Sequence, residues 1–185
     1  MRHAVLVIAC ALPMTACNKS PEVSAKNASV AEVAQKVRES GVASDNFLHA
    51  GQWRVSSTVE EMTIPGMPPE AQTEMKKFMR QQNASYEYCL TPEEAKKPGG
   101  KFFTGKDERN CRYDHFTMSG GKFDAAMRCQ GDASAAMTMA MNGTYSPDSY
   151  STHVAMNMEG GREGKMSMKM RSEAKRIGEC SAKRG

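Results

Sequence analysis

Eight methionines stand between residues 137 and 170 of this 185-residue chain in three alternating sets: Met137, Met139 and Met141; Met156 and Met158; Met166, Met168 and Met170. Alternation sends each set to one face of its strand, so three neighbouring strands would present a continuous thioether surface. The first chemistry this implies is bland: a core face, with Thr138, Asn157, Ser167 and Lys169 pointing outward. Methionine is also flexible and polarizable, so a cavity lined by it adapts to varied apolar guests. Thioethers are soft ligands that select Cu(I), and His153 lies near the sets in sequence. Copper handling ranks below the other two readings, because burial alone accounts for the alternation. No metal or other cofactor is expected.

Catalytic groups are sparse. Beyond His3, the histidines His49, His115 and His153 never fall at i, i+4, and no G-x-S-x-G elbow, H-E-x-x-H pair or phosphate loop occurs. Carboxylates such as Asp114 and Glu159 sit among polar neighbours. The expectation is a domain that binds rather than catalyses. Lys165, Lys169, Arg171, Lys175 and Arg176 make the last strand basic, which suits a solvated face or orientation beside an anionic membrane.

The N-terminus carries the strongest motif. Arg2 and His3 precede an apolar run from Ala4 to Pro13, and Met14-Thr15-Ala16-Cys17 then resembles the lipobox of bacterial lipoprotein signals. That pattern implies cleavage before Cys17 and acylation of its new terminus, giving the segmentation 1–16 signal peptide, 17–28 tether and 29–185 a single domain. Each buried acyl methylene contributes about 0.8 kcal/mol, so several chains anchor the domain to the bilayer durably. Cys10 offers a rival cleavage site, but it would leave an apolar segment of only about six residues, short of the roughly 7 to 15 expected, so Cys17 is preferred. Asn18 after the cysteine favours the outer membrane, with the domain facing the periplasm. As a flexible coil, residues 18–28 would hold the domain roughly 18 Å from the surface.

In that oxidising compartment Cys89, Cys111, Cys129 and Cys180 are expected to form two disulfides. Their spacing fits neither a zinc site nor a C-x-x-C redox pair. Of the three connectivities, Cys89 with Cys111 and Cys129 with Cys180 is preferred because the first pair flanks one loop, and a Cys111–Cys129 hairpin clip stays open. Each closure would contribute roughly 3–4 kcal/mol. The formal charge is only +4, and removal of the signal takes Arg2 with it. Such a small excess, on an exported chain, sets nucleic-acid binding aside. No apolar run reaches 18 residues, so no transmembrane helix is expected.

These groups need elements to position them. Ser29 and Glu32 form a capping box ahead of Val30, Val33, Ala34 and Val37, which recur at helical spacing up to Gly41. A second helix is expected over Glu70 to Gln82, with Ala71, Met75, Phe78 and Met79 packing on a sheet. Strands are expected at Gly51–Thr63, Ser85–Leu90, Asn110–Met118, Lys122–Gln130, Ala135–Tyr145, Ser149–Glu159 and Lys165–Arg176, separated by turn residues such as Gly120-Gly121 and Ser146-Pro147-Asp148. The fold class is mainly β (α+β): an antiparallel meander of about seven strands, curled or barrel-like, with two short helices.

Gly51-Gln52-Trp53, Cys89-Leu90-Thr91-Pro92-Glu93, the Cys111 to Cys129 hairpin and Gly178-Glu179-Cys180 occur in that order. The set resembles the small exported bacterial proteins classed as domain of unknown function 3617, over roughly residues 47 to 180. The resemblance implies a cell-envelope location and no established activity, and it carries over no catalytic residues. Gly51-x-Trp53 is also similar to the first strand of lipocalin-like barrels, where a basic residue from the last strand, here Arg171 or Arg176, would cover the tryptophan.

The sequence thus points to a non-enzymatic envelope lipoprotein. It is expected to hold an apolar small molecule or lipid in a pocket lined by Met137, Met139, Met141, Met156, Met158, Met166, Met168, Met170 and Trp53. The alternative is a structural or assembly factor that docks another envelope protein. The sequence leaves the oligomeric state open.

Overall fold

Period-two burial is the rule along this chain, and it builds one sheet. A computed structural model describes residues 22–42, 47–81, 85–96, 110–131, 135–160 and 164–180, so the signal segment and Cys17 lie outside the described residues. The strands are β1 (Glu22–Ser29), β2 (Gly51–Thr63), β3 (Tyr86–Leu90), β4 (Cys111–Ser119), β5 (Lys122–Gln130), β6 (Ala136–Ser146), β7 (Ser149–Glu159) and β8 (Met166–Gly178). Three helices accompany them: α1 (Val30–Glu39), α2 (Pro69–Gln81) and α3 (Pro92–Lys96). Every pairing is antiparallel, in the order β1-β4-β5-β6-β7-β8-β2-β3.

Consecutive hairpins from β4 to β8 form the expected meander. The turn at Gly120-Gly121 has both residues at positive φ, 54° and 74°, which is the twist a two-residue hairpin loop requires. β8 then adds β2 and β3 on one side, while β1 extends the other. The two ends do not pair, so the sheet is open and not a barrel.

The eighth strand is the first correction. Residues 22–28, expected as part of a tether, form β1 along β4 because Val23, Ala25 and Ala28 face the core while Glu22, Ser24 and Lys26 face out. Asn27 adopts the left-handed conformation at φ 48°, which asparagine tolerates, and Arg112 donates to both its side chain and its carbonyl. The capping box then starts α1 as expected, with Ser29 N donating to Glu32 Oε2 at 2.6 Å and Glu32 N donating to Ser29 Oγ at 3.2 Å. The short helix α3 was not expected. It is started in the same way by Thr91 and Glu94.

The core draws on strands at both sides of the sheet, from β1, β4 and β5 to β8, β2 and β3. Val33 and Val37 of α1, with Phe47 and Leu48, pack on Tyr113, Phe116, Met127, Trp53 and Val55. A helix with its side chains is only about 10–12 Å across, and α1 packs mainly on β1 and β4. Packing of α2 on the sheet face is corrected too. It contacts β2, but Ala71 is exposed, Met75 is 36% exposed and Phe78 is 58% exposed.

Both disulfides form, in a pairing other than the preferred one: Cys89–Cys180 and Cys111–Cys129. Cys89 and Cys111 are not on paired strands: β3 is the last strand at one edge and β4 lies next to the other. Cys111 and Cys129 are direct cross-strand partners in the β4–β5 hairpin. Cys89 is paired with Gln52, whose other neighbour is Gly178, two residues before Cys180.

Candidate ligand cavity and methionine terrace

One sheet face carries nearly all the large apolar side chains, and it divides into two chemically distinct areas. Toward the β6–β7 turn lies a cavity of about 450 Å³. Its walls include Phe123, Tyr145, Tyr150 and Val154 from the meander, Tyr86 and Tyr88 from β3, and Phe47 and Leu48 from the segment before β2. Phe47 meets Tyr145 edge-on at 5.5 Å, and Tyr113 meets Phe116 in the same way at 5.4 Å. Edge-on contacts of this kind are a favoured geometry for aromatic pairs and help to orient these rings.

No residue lining the cavity carries a charge at neutral pH. Burial raises the phenol of Tyr150 well above the ordinary tyrosine value, and neighbouring Tyr88 adds to the effect. Burial likewise raises Tyr88, which is hydrogen-bonded to Tyr150. A phenol whose folded-state pKa is raised holds its proton more tightly when folded. Its stabilisation is complete below the unfolded value near 10 and is lost as the pH rises above it. Thermal unfolding between pH 9 and 11 is therefore expected to show a falling midpoint, and Tyr150→Phe is expected to flatten that fall. An equally steep fall in the variant would assign the alkaline sensitivity to other groups.

The second area is the methionine terrace. Cross-strand register aligns Met139 with Met156 and Met168, and Met137 with Met158 and Met166. A third row runs from Met141 through Val154 to Met170. The inner row continues into Met127 of β5 and Met62 of β2. The expected gathering of thioethers on one face is therefore present. Their expected full burial is not: all eight are half-buried, and only Met137, Met139 and Met141 pack against the core.

The pocket itself is corrected. Of the nine residues proposed to line it, only Met141 does so. Trp53 is fully buried, donating from Nε1 to the His49 carbonyl at 3.0 Å and stacking on Tyr150 at 5.8 Å. The cavity is aromatic because Phe47 and Leu48 lie over the part of the sheet where tyrosines and phenylalanines cluster. Sequence reasoning missed Tyr86, Tyr88, Tyr145 and Tyr150. The available signal was tyrosine at alternate positions in β3 and at both ends of the β6–β7 turn.

The remaining expectations resolve locally. Arg176, not Arg171, is the register partner of Trp53, and its Nε donates to the Ala50 carbonyl at 2.8 Å. Gly51 beside it, at φ 145°, admits no side chain, since a Cβ would stand 2.4 Å from the Gly178 carbonyl oxygen. Arg171 pairs with Glu173 on the opposite face, Lys169 with Glu61 at 2.8 Å and Lys165 with Glu159 at 3.4 Å. The basic strand is thus largely compensated. His153 is exposed and alternates away from the methionines, so it is not a neighbour of the thioethers.

His115 lies 2.5 Å from Asp124, and His49 lies 3.1 Å from Asp148. Both pairs are exposed, and no nucleophile is hydrogen-bonded to either ring among the described residues. A polar hollow of about 420 Å³, walled by Thr117, Lys122, Asp124, Asn142 and His153 among others, opens widely to solvent and encloses no such group. No group of three or more His, Cys, Asp or Glu is placed to hold a metal among the described residues.

No helix among the described residues is long and apolar enough to cross a membrane. No curated protein and no solved structure matches the chain. The sequence profile described as protein of unknown function (DUF3617) matches residues 48–180. That segment includes seven of the eight strands, both disulfides, the cavity's aromatic walls from Leu48 onward and the whole terrace. The chain belongs to this DUF3617 family.

Proposed function

We propose that the protein is a lipid-anchored envelope protein whose aromatic-lined cavity holds an uncharged apolar molecule without transforming it. The observation that carries this reading is the cavity: about 450 Å³, walled by rings and aliphatic side chains with no charged group. That volume lies within the roughly 300–1,000 Å³ of small-molecule sites, whose linings are mostly apolar with a few polar groups. The neutral Tyr88 and Tyr150 hydroxyls supply such polar groups. A charged headgroup would have to remain outside, because nothing in the walls compensates it.

The anchor rests on the Cys17 motif. β1 starts at Glu22, only five residues after Cys17, so the domain would begin nearer the bilayer than the eleven-residue tether expected from the sequence would place it. The cavity would then lie within reach of membrane-derived guests.

Native mass spectrometry of protein purified from the envelope is expected to show a bound apolar species, and the uncharged probe N-phenylnaphthylamine is expected to fluoresce on binding. Val154→Trp, which adds a large ring at the wall, is expected to weaken probe binding by roughly tenfold or more, equivalent to about 1.4 kcal/mol. A protein that stays empty under several extraction conditions and does not bind the probe would overturn the reading. Recovery of a stoichiometric envelope protein with an empty cavity would replace it with docking.

A further inference from the structure

The cavity leaves the methionine terrace unexplained. Its six central thioethers form a block of two rows and three columns on β6, β7 and β8: Met139, Met156 and Met168 above Met137, Met158 and Met166. All six are half-buried and share one face. A need for apolarity alone does not select this residue. Strands favour Val, Ile and aromatic side chains, and the same three strands use Val154, Tyr145 and Tyr150 on this face. The chain holds sixteen methionines against four leucines and three isoleucines. Sulfur is the property that leucine would not supply.

We infer that Met139, Met156 and Met168 form a three-thioether site for Cu(I), independent of the aromatic cavity. Directly opposed residues on adjacent strands have Cβ atoms about 4.5–5.5 Å apart, and methionine has three rotatable bonds beyond Cβ to bring its sulfur toward a common point. Partial exposure gives an ion a path in. Soft, neutral ligands bind Cu(I) and have little affinity for harder divalent ions, and no group of three or more His, Cys, Asp or Glu is placed to hold one among the described residues. The four described cysteines are committed to disulfides and leave no thiolate to compete. A thioether site remains usable in an oxidising compartment, where paired thiols would close.

The inner row is assigned because it is the longer one. Met127, 1% exposed, and Met62, 7% exposed, extend it at its two ends and shield the site from the side. Binding involves no electron transfer, since the ion enters and stays as Cu(I). It also displaces no proton, because thioethers do not titrate. The affinity is therefore expected to be constant from pH 5.5 to 8, unlike that of thiolate or imidazole sites.

The test is anaerobic competition of the disulfide-intact protein with the chromophoric Cu(I) chelator bicinchoninate. Transfer of about one Cu(I) per chain is expected, and Zn(II) is expected not to compete. Loss of even an outer-shell partner costs roughly ten- to a hundredfold in metal affinity, so M139L/M156L/M168L is expected to lose at least that much. Leucine keeps volume and apolarity, so the variant should fold, which its far-UV spectrum and N-phenylnaphthylamine binding check separately. M137L/M158L/M166L is expected to retain the ion. In labelled wild-type protein, the Met139, Met156 and Met168 methyl resonances are expected to shift on adding Cu(I). Absence of transfer, equal affinity of the inner-row variant, or a strong pH dependence would each overturn the assignment. None of these outcomes bears on whether the cavity takes an apolar guest.

Discussion

Replacing Trp53 by alanine is expected to lower the unfolding free energy by about 3–5 kcal/mol, the largest loss from any single side chain in this domain. The indole is 0% exposed. It stacks on Tyr150 across the sheet face and donates to the His49 carbonyl, tying the segment before β2 to the core. Truncation removes the burial, leaves a void among close-packed neighbours and takes the indole donor from the His49 carbonyl. Against a total of about 5–15 kcal/mol for a domain, such a loss brings the chain near its threshold. Trp53→Phe is expected to cost less, since it keeps a ring against Tyr150 while losing the hydrogen bond. Equilibrium urea unfolding checks both variants. A loss below about 1.5 kcal/mol for the alanine variant would mean that neighbouring side chains close the gap and that Trp53 is not the keystone of the core.

The same residue shows what a sequence can convey and what it cannot. Alternation set the bounds of β2, β5 and β7 to the residue, and the capping box at Ser29 placed α1, because those signals are local and each is enforced by burial or by unpaired amides at a helix start. The face shared by the methionines was legible for the same reason. The degree of burial was not. It depends on which strands the single covering helix reaches, and strand order is a long-range property. The disulfides failed likewise: loop proximity suggested Cys89 with Cys111, yet the sheet sends β3 and β4 toward opposite edges. β1 escaped notice because its alternating residues are Val23, Ala25 and Ala28, two of them too small to stand out beside a signal sequence. The cavity was the least legible feature, being assembled from rings on five strands and a loop.

The two disulfides offer the second large effect, and here two physical accounts predict opposite orders. Chain-entropy reasoning scales with loop length. Cys89–Cys180 spans 91 residues and Cys111–Cys129 spans 18, which gives about 4.6 and about 3.2 kcal/mol respectively. Packing reasoning reverses them. Cys111 and Cys129 are 6% and 8% exposed within the core, whereas Cys89 is exposed. The expected result is that C89A/C180A costs more than C111A/C129A in guanidinium unfolding, because β4 and β5 stay joined by a full hairpin ladder and the tight Gly120-Gly121 turn. β3, in contrast, is a five-residue edge strand held by β2 alone and by its disulfide. Its release would also take Tyr86 and Tyr88 from the cavity wall. C89A/C180A is therefore expected to lose N-phenylnaphthylamine binding at denaturant concentrations where the protein is still folded, and C111A/C129A is expected to keep it. The reverse order of stability would show that buried sulfur packing outweighs loop closure here. Intact probe binding in C89A/C180A would show that β3 is held in place by its ladder to β2 without the covalent clamp.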